Sequence, residues 1–207
     1  MTLLLERGET WTVTLDRPTR ANALSAELVE DLLDVVAESA AARPAALVLR
    51  GNARHFAAGF DLDGLAQETD ATLAHRFLRI GLLLERLLAA PHLTVAVAEG
   101  AAVGAGADLV LACDHRLVDP GVTLRFPGSA FGVALGTVRR AELGDRLVTG
   151  APVSLDSALR ADRPPRPRHD ADAELAALAR SVAVPGLRDR IAAYAASTHL
   201  PRTKEFA

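Results

Sequence analysis

Hydrophobic and polar positions along the chain alternate between two periods, and each change of period marks an element. In "LLLERGETWTVTLDRP" two β-prone runs flank the turn signal "RGE", so residues 3–5 and 11–15 are expected to pair as a hairpin. Leu28, Leu32, Leu33, Val35 and Val36 then recur at helical spacing, predicting a helix over residues 26–42 with Ser25 as its N-cap. "AALVLRG", residues 45–51, is a short continuous apolar run closed by Gly51, the pattern of a strand buried on both faces. An amphipathic stretch over residues 71–90 predicts a long helix stopped by Pro91. "LTVAVAE", residues 93–99, reads as another buried strand, and "GADLVLACDHRLV", residues 106–118, as a helix running toward an extended piece. Apolar strands alternating with helices predict an α/β layer fold with parallel strands.

The pattern changes toward the C-terminus. "ALRADRPPRPRHDADAEL", residues 158–175, is rich in proline and charge and reads as a linker or surface excursion. Two short helices are expected after it, at 171–182 and 187–196. The expected organisation is one core domain, residues 1–157, followed by a linker and a short C-terminal helical region, residues 158–207. No internal repeat is visible.

Composition narrows the function classes. With 207 residues and 50% hydrophobic content the chain can bury one substantial core. The net charge of -3, with aromatics at 4% and no Lys/Arg run interleaved with them, argues against a nucleic-acid partner. The single cysteine, Cys113, forms no internal disulfide and reads as a small buried side chain in an apolar helical run. With no signal peptide and no apolar run long enough for a bilayer, the expectation is a soluble, cytoplasmic protein.

One stretch stands out for chemistry. In "EGAAVGAGADLVLACD", residues 99–114, an apolar strand is followed by a loop of glycine and alanine and then by one carboxylate, Asp108, at the start of an apolar helix. Small residues there let another molecule approach the backbone, and they also permit close packing of a helix on a sheet. "GAGAD" is not a dinucleotide fingerprint, because Leu109 stands where the third glycine would be. No lysine follows it as a phosphate-binding loop requires. No HExxH spacing or cysteine pair suggests a metal, and "PGSAFG" does not match the GxSxG of a nucleophile elbow.

Two stretches together carry a resemblance. "ARHFAAGFDLDGL", residues 53–65, and "VAEGAAVGAGADLVLACDHRLV", residues 97–118, resemble the two signatures of the crotonase superfamily, the enoyl-CoA hydratase/isomerase proteins. "LDRPTRANALSAELVEDL", residues 15–32, is similar to that family's N-terminal segment, and the likeness runs from about residue 15 to about residue 150. The resemblance implies the ClpP/crotonase fold, a spiral of ββα units in two sheets surrounded by helices. It implies an acyl-CoA thioester as partner and homotrimers or hexamers as the assembly. It implies no cofactor beyond the coenzyme A carried by the substrate. The C-terminal region is shorter than the family's usual trimerisation region.

The same resemblance assigns residues. The thioester carbonyl would lie between the backbone N–H groups of Phe60 and Ala105, with substrate contacts at Arg20, Ala21, Ala57, Gly59, Asp61, Leu62, Gly104 and Gly128. Asp108 aligns with the first catalytic acid, where the family typically has glutamate; its alternative role is charge complementarity at a helix N-terminus. The second acid position falls on Gly128, and shifting the register to Ser129 or Ala130 still brings no carboxylate. One acid suits isomerisation, decarboxylation or another enolate reaction better than two-acid hydration. A catalytically silent acyl-CoA-binding or scaffolding homologue is the alternative. Asp61 is expected mainly as the cap of a short helix after "AAGF". His55 and Arg20 are candidates for CoA phosphates or plain surface residues, and Arg125 for a substrate carboxylate or a surface ion pair.

Overall fold

The computed structural model describes residues 2–136, 154–160, 162 and 170–199. Strands β1 (Leu3–Glu6) and β2 (Thr10–Leu15) form the expected antiparallel hairpin, with Leu3 opposite Leu15. Trp11, Val13 and Leu15 alternate inward from β2, as a half-buried strand requires. Helix α1 (Ala26–Ala42) begins where the Leu28 N–H donates to the Ser25 hydroxyl at 3.2 Å, and it buries Leu28, Leu32 and Val35 along one stripe. Strand β3 (Ala46–Arg50) is buried on both faces, which explains its unbroken apolar run.

From β3 onward one unit recurs: a strand of a large sheet, a short strand of a second sheet, then a helix. β3 is followed by β4 (His55–Ala57) and α2 (Asp70–Leu88); β5 (Leu93–Ala98) by β6 (Ala101–Val103) and α3 (Ala105–Ala112). β7 (His115–Val118) and β8 (Leu124–Arg125) begin the next turn. The large sheet has the order β1-β2-β3-β5-β7 and the small one β4-β6-β8. Every pairing except β1 with β2 is parallel. This is the spiral of ββα units that the resemblance implies.

α2 starts in a capping box between Thr69 and Thr72 and buries Leu73, Phe77, Ile80, Leu84 and Leu87. It ends at Leu88, two residues before the expected stop. α3 is buried at all eight positions, so its apolar surround belongs to a helix enclosed by the core. Cys113 caps the C-terminus of α3, just beyond the helix and not within it, and is buried there.

The edge strand β7 is fastened by a buried pair. The Thr94 N–H and hydroxyl both donate to one Asp114 carboxylate oxygen at 3.0 Å, and the Asp114 N–H donates back to the Thr94 hydroxyl at 2.9 Å. Three short strands, β4, β6 and β8, lie where the sequence pattern predicts no strand. The loop expected across residues 99–104 contains β6, whose Ala-rich sequence has little β-propensity and is held extended by its neighbours on both sides.

Helix α4 (Leu155–Arg160) takes up residues 158–160 of the expected linker; residues 163–169 of that linker and the stretch 137–153 lie outside the described residues. α5 (Ala171–Val182) matches expectation, and α6 (Leu187–His199) runs three residues longer than expected. Both pack against α2. The Asp70 carboxylate, in the first turn of α2, accepts the Gly186 N–H at 2.7 Å and the Arg188 N–H at 2.8 Å, so it caps α6 from outside. No described helix is long and apolar enough to cross a membrane.

Candidate active site

A cavity of about 90 Å³ opens where α3, the segment after β4, the Pro127–Phe131 turn and α6 meet. Phe60, Leu62, Gly104, Ala105, Asp108 and Gly128 all line it, so residues from three separate stretches converge on one space. The polypeptide conformation explains how. Leu24 bridges Phe60 in parallel: the Leu24 N–H donates to the Gly59 carbonyl at 2.7 Å and the Asp61 N–H donates to the Leu24 carbonyl at 3.2 Å. In such a bridge the N–H of the intervening residue, Phe60, faces the other way. Ala105 is the first residue of α3, so its N–H has no acceptor within the helix.

Two glycines bring these donors together. Gly59 has φ of +86°, and a Cβ on it would sit 2.4 Å from the Val103 carbonyl oxygen and 3.3 Å from the Ala105 nitrogen. The peptide leading to Phe60 therefore lies directly against the start of α3. Gly106 lets α3 approach β4, where a Cβ would fall 2.3 Å from the Ala57 carbonyl oxygen. Two N–H groups near a helix N-terminus form a region of positive potential at the cavity wall.

The Phe60 ring is held on two sides. It stacks on Phe77 with centroids 4.2 Å apart and planes at 16°, and the Arg76 guanidinium lies 4.2 Å from its centroid. Arg76 also donates to the Asp61 carbonyl at 2.9 Å and pairs with Glu68 at 2.7 Å. A hydrogen bond from the Thr72 hydroxyl, opposed by partial burial and reinforced by Arg76, keeps the Glu68 carboxyl below the usual carboxylate range. Asp108 is 2% exposed and projects from the first turn of α3; its N–H donates to the Gly104 carbonyl at 3.0 Å. Among the described lining residues it is the one charged side chain.

The other expected residues surround the cavity without lining it. Ala57 is fully buried in β4, and the Ala21 carbonyl accepts the Ala58 N–H at 3.0 Å. Arg20 is exposed and paired with Asp63 at 2.7 Å. Asp61 does not cap the short helix after "AAGF": that turn, Leu65–Gln67, has Gly64 at its N-cap. Asp61 instead pairs with Arg17 at 2.8 Å and accepts the Asp63 N–H at 3.0 Å. His55 lies in β4, and Arg125 is exposed in β8 with its carbonyl accepting the Gly104 N–H. Among the described residues no group of three His, Cys, Asp or Glu side chains is placed to hold a metal ion.

Sequence reasoning missed the opposite wall, made by Phe77, Phe126, Phe131, Val133, Leu135, Ile191 and Tyr194. The only signal was Phe77 on the apolar face of α2, which is indistinguishable from ordinary core packing.

Comparison with known proteins agrees with this geometry. The model of the enoyl-CoA hydratase/isomerase family matches residues 7–144. A probable enoyl-CoA hydratase of Mycobacterium tuberculosis, echA6, is 38% identical over 124 residues, 60% of this chain and 49% of that protein. Human ethylmalonyl-CoA decarboxylase is 32% identical over 138 residues, 63% of this chain and 44% of that protein. The chain thus spans about half the length of the curated relatives it matches. A solved enoyl-CoA hydratase/isomerase structure from Bordetella parapertussis superposes with a TM-score of 0.85 at 37% identity, covering 95% of this chain and 99% of that one. On the sequence match and the shared spiral fold, this chain belongs to the enoyl-CoA hydratase/isomerase family, the crotonase superfamily.

Proposed function

We propose that this protein binds an acyl-CoA thioester and stabilises its enolate between the N–H groups of Phe60 and Ala105, with Asp108 as the single acid/base. The observation that supports this reading is that Phe60, Ala105 and the buried Asp108 line the same apolar cavity, with Ala105 at the start of a helix and the Phe60 N–H turned away from Leu24. Fixed donors aimed at developing charge in a dry site need no reorganisation during reaction, and one such donor contributes about 3 kcal/mol in measured enzymes. An α-proton leaving the substrate would pass to Asp108; its return to Cα would give exchange, and in a thioester with a β,γ-double bond its return to Cγ of the dienolate would give isomerisation.

Gly128 lines the cavity and supplies no side chain, which favours one-acid enolate chemistry over two-acid hydration. No cofactor beyond the substrate's coenzyme A enters this scheme, and assembly as homotrimers or hexamers is the arrangement it takes from the family. The same glycine is the observation behind the second reading, a silent acyl-CoA-binding homologue. Deuterium exchange at Cα of a saturated acyl-CoA, followed by NMR, separates the two. Exchange in the wild type that falls by about a hundredfold or more in Asp108→Asn is the expected result. Thioester binding without any wild-type exchange would establish the silent homologue.

A further inference from the structure

Four aromatic rings run in sequence from the donor end of the cavity to α6. Phe60 stacks on Phe77, Phe77 meets Phe131 at 6.3 Å between centroids, and Phe131 meets Tyr194 at 5.2 Å. Tyr194 therefore stands at the end of the row away from the Phe60 peptide. Of all the described lining residues, Asp108 and Tyr194 alone carry a polar side-chain group. The Tyr194 hydroxyl has no hydrogen-bond partner among the described residues, the residue's backbone carbonyl alone accepting a bond from Ser197, and the side chain is half-buried.

Given the acyl-CoA reading above, on which this rests, we propose that Tyr194 is a specificity-determining residue. Its hydroxyl donates to an uncharged oxygen, a hydroxyl or ketone, on the part of the acyl group remote from the thioester. An all-hydrocarbon chain filling this end would strip water from the hydroxyl and return no hydrogen bond, so the site discriminates against it. A carboxylate at the same place would share the cavity with Asp108. No cationic side chain lines it among the described residues, since Arg125 is exposed in β8 and Arg76 is paired with Glu68 outside it. A phenolic hydroxyl offers a proton and acceptor lone pairs, which suits a neutral oxygen of either kind.

The test is binding of five thioesters by calorimetry to wild type and Tyr194→Phe. The first pair is butyryl-CoA and 3-hydroxybutyryl-CoA, the second hexanoyl-CoA and 5-oxohexanoyl-CoA, and succinyl-CoA is the charged control. Phenylalanine keeps the ring against Phe131, so folding is preserved. In at least one pair the wild type is expected to favour the oxygenated member, and Tyr194→Phe to reduce that preference about five- to tenfold. An equal preference in the two proteins, a wild-type preference for plain hydrocarbon in both pairs, or tightest binding of succinyl-CoA would overturn the role of Tyr194 while leaving the acyl-CoA reading intact. Binding of none of the five to the wild type would instead remove the acyl-CoA reading, and the Tyr194 role with it.

Discussion

The two walls of the cavity are built by different means. On one side lie backbone segments packed closely through glycines: the Phe60 peptide, the start of α3 at Ala105, and Gly59 and Gly106 between them and their neighbours. On the other side, from Phe126 to Leu135 and on α6, the contributions are side chains. A wall made of backbone tolerates very few residue types at its glycine positions, because any Cβ there meets a carbonyl oxygen. A wall made of side chains tolerates any set that fills the volume, so it is free to vary with the substrate. On the proposed reading, chemistry and selectivity would be carried by separate parts of the molecule.

If that division holds, substitutions on the two walls differ in kind. The largest effect is expected for Gly59→Ala, which forces a Cβ to 2.4 Å from the Val103 carbonyl oxygen at φ of +86°. Turnover should fall about a hundredfold or more as the two donors separate. Thermal or denaturant unfolding should show a loss of about 1–3 kcal/mol. Arg76→Met comes next, since it removes the guanidinium from the Phe60 ring and from the Asp61 carbonyl. Steady-state kinetics should give a kcat roughly tenfold lower with little change in thioester affinity, because Arg76 positions a donor and does not line the cavity.

Phe131→Leu probes the other wall. It should change KM among acyl chains by about three- to tenfold while kcat at saturation stays close to wild type. Equal losses from Phe131→Leu and Gly59→Ala would break the division between the walls.

The smallest effect concerns the strap that holds α6. The backbone N–H of Arg188, then those of Gly186 and Leu187, and the Arg190 charge keep the Asp70 carboxyl below its ordinary value. A depressed carboxylate stabilises the fold above the unfolded value of about 4 and loses that contribution as pH falls through the folded value. Amide protection factors in the first turn of α6, taken against the intrinsic rate at each pH, should therefore fall below about pH 4 in the wild type and be low already at neutral pH in Asp70→Ala.

What the chain reveals unaided follows the same division. Helices α1 and α2 are long and periodic and strands β3 and β5 are unbroken apolar runs, so the apolar pattern alone defines them. β4, β6 and β8 are two or three residues each and owe their extended form to pairing, which no local window contains. The backbone wall is legible because its glycine and alanine positions leave a pattern in "FAAGF" and "GAGAD". Tyr194 is not, because its place beside Phe131 depends on how α6 docks, through an Asp70 more than a hundred residues earlier. Asp61 shows the converse error: an acid after a glycine turn reads as a cap, but Arg17 draws it into an ion pair.

The central claim is that the Phe60 and Ala105 N–H groups polarise a thioester carbonyl. Infrared difference spectroscopy of a bound saturated acyl-CoA with a ¹³C-labelled carbonyl tests it directly, in wild type and in Gly59→Ala. A carbonyl stretch shifted to lower frequency in the wild type, and restored toward its solution value in the variant, is the predicted result. A bound thioester whose carbonyl absorbs as it does in water, in a wild-type protein that holds it tightly, would contradict the account.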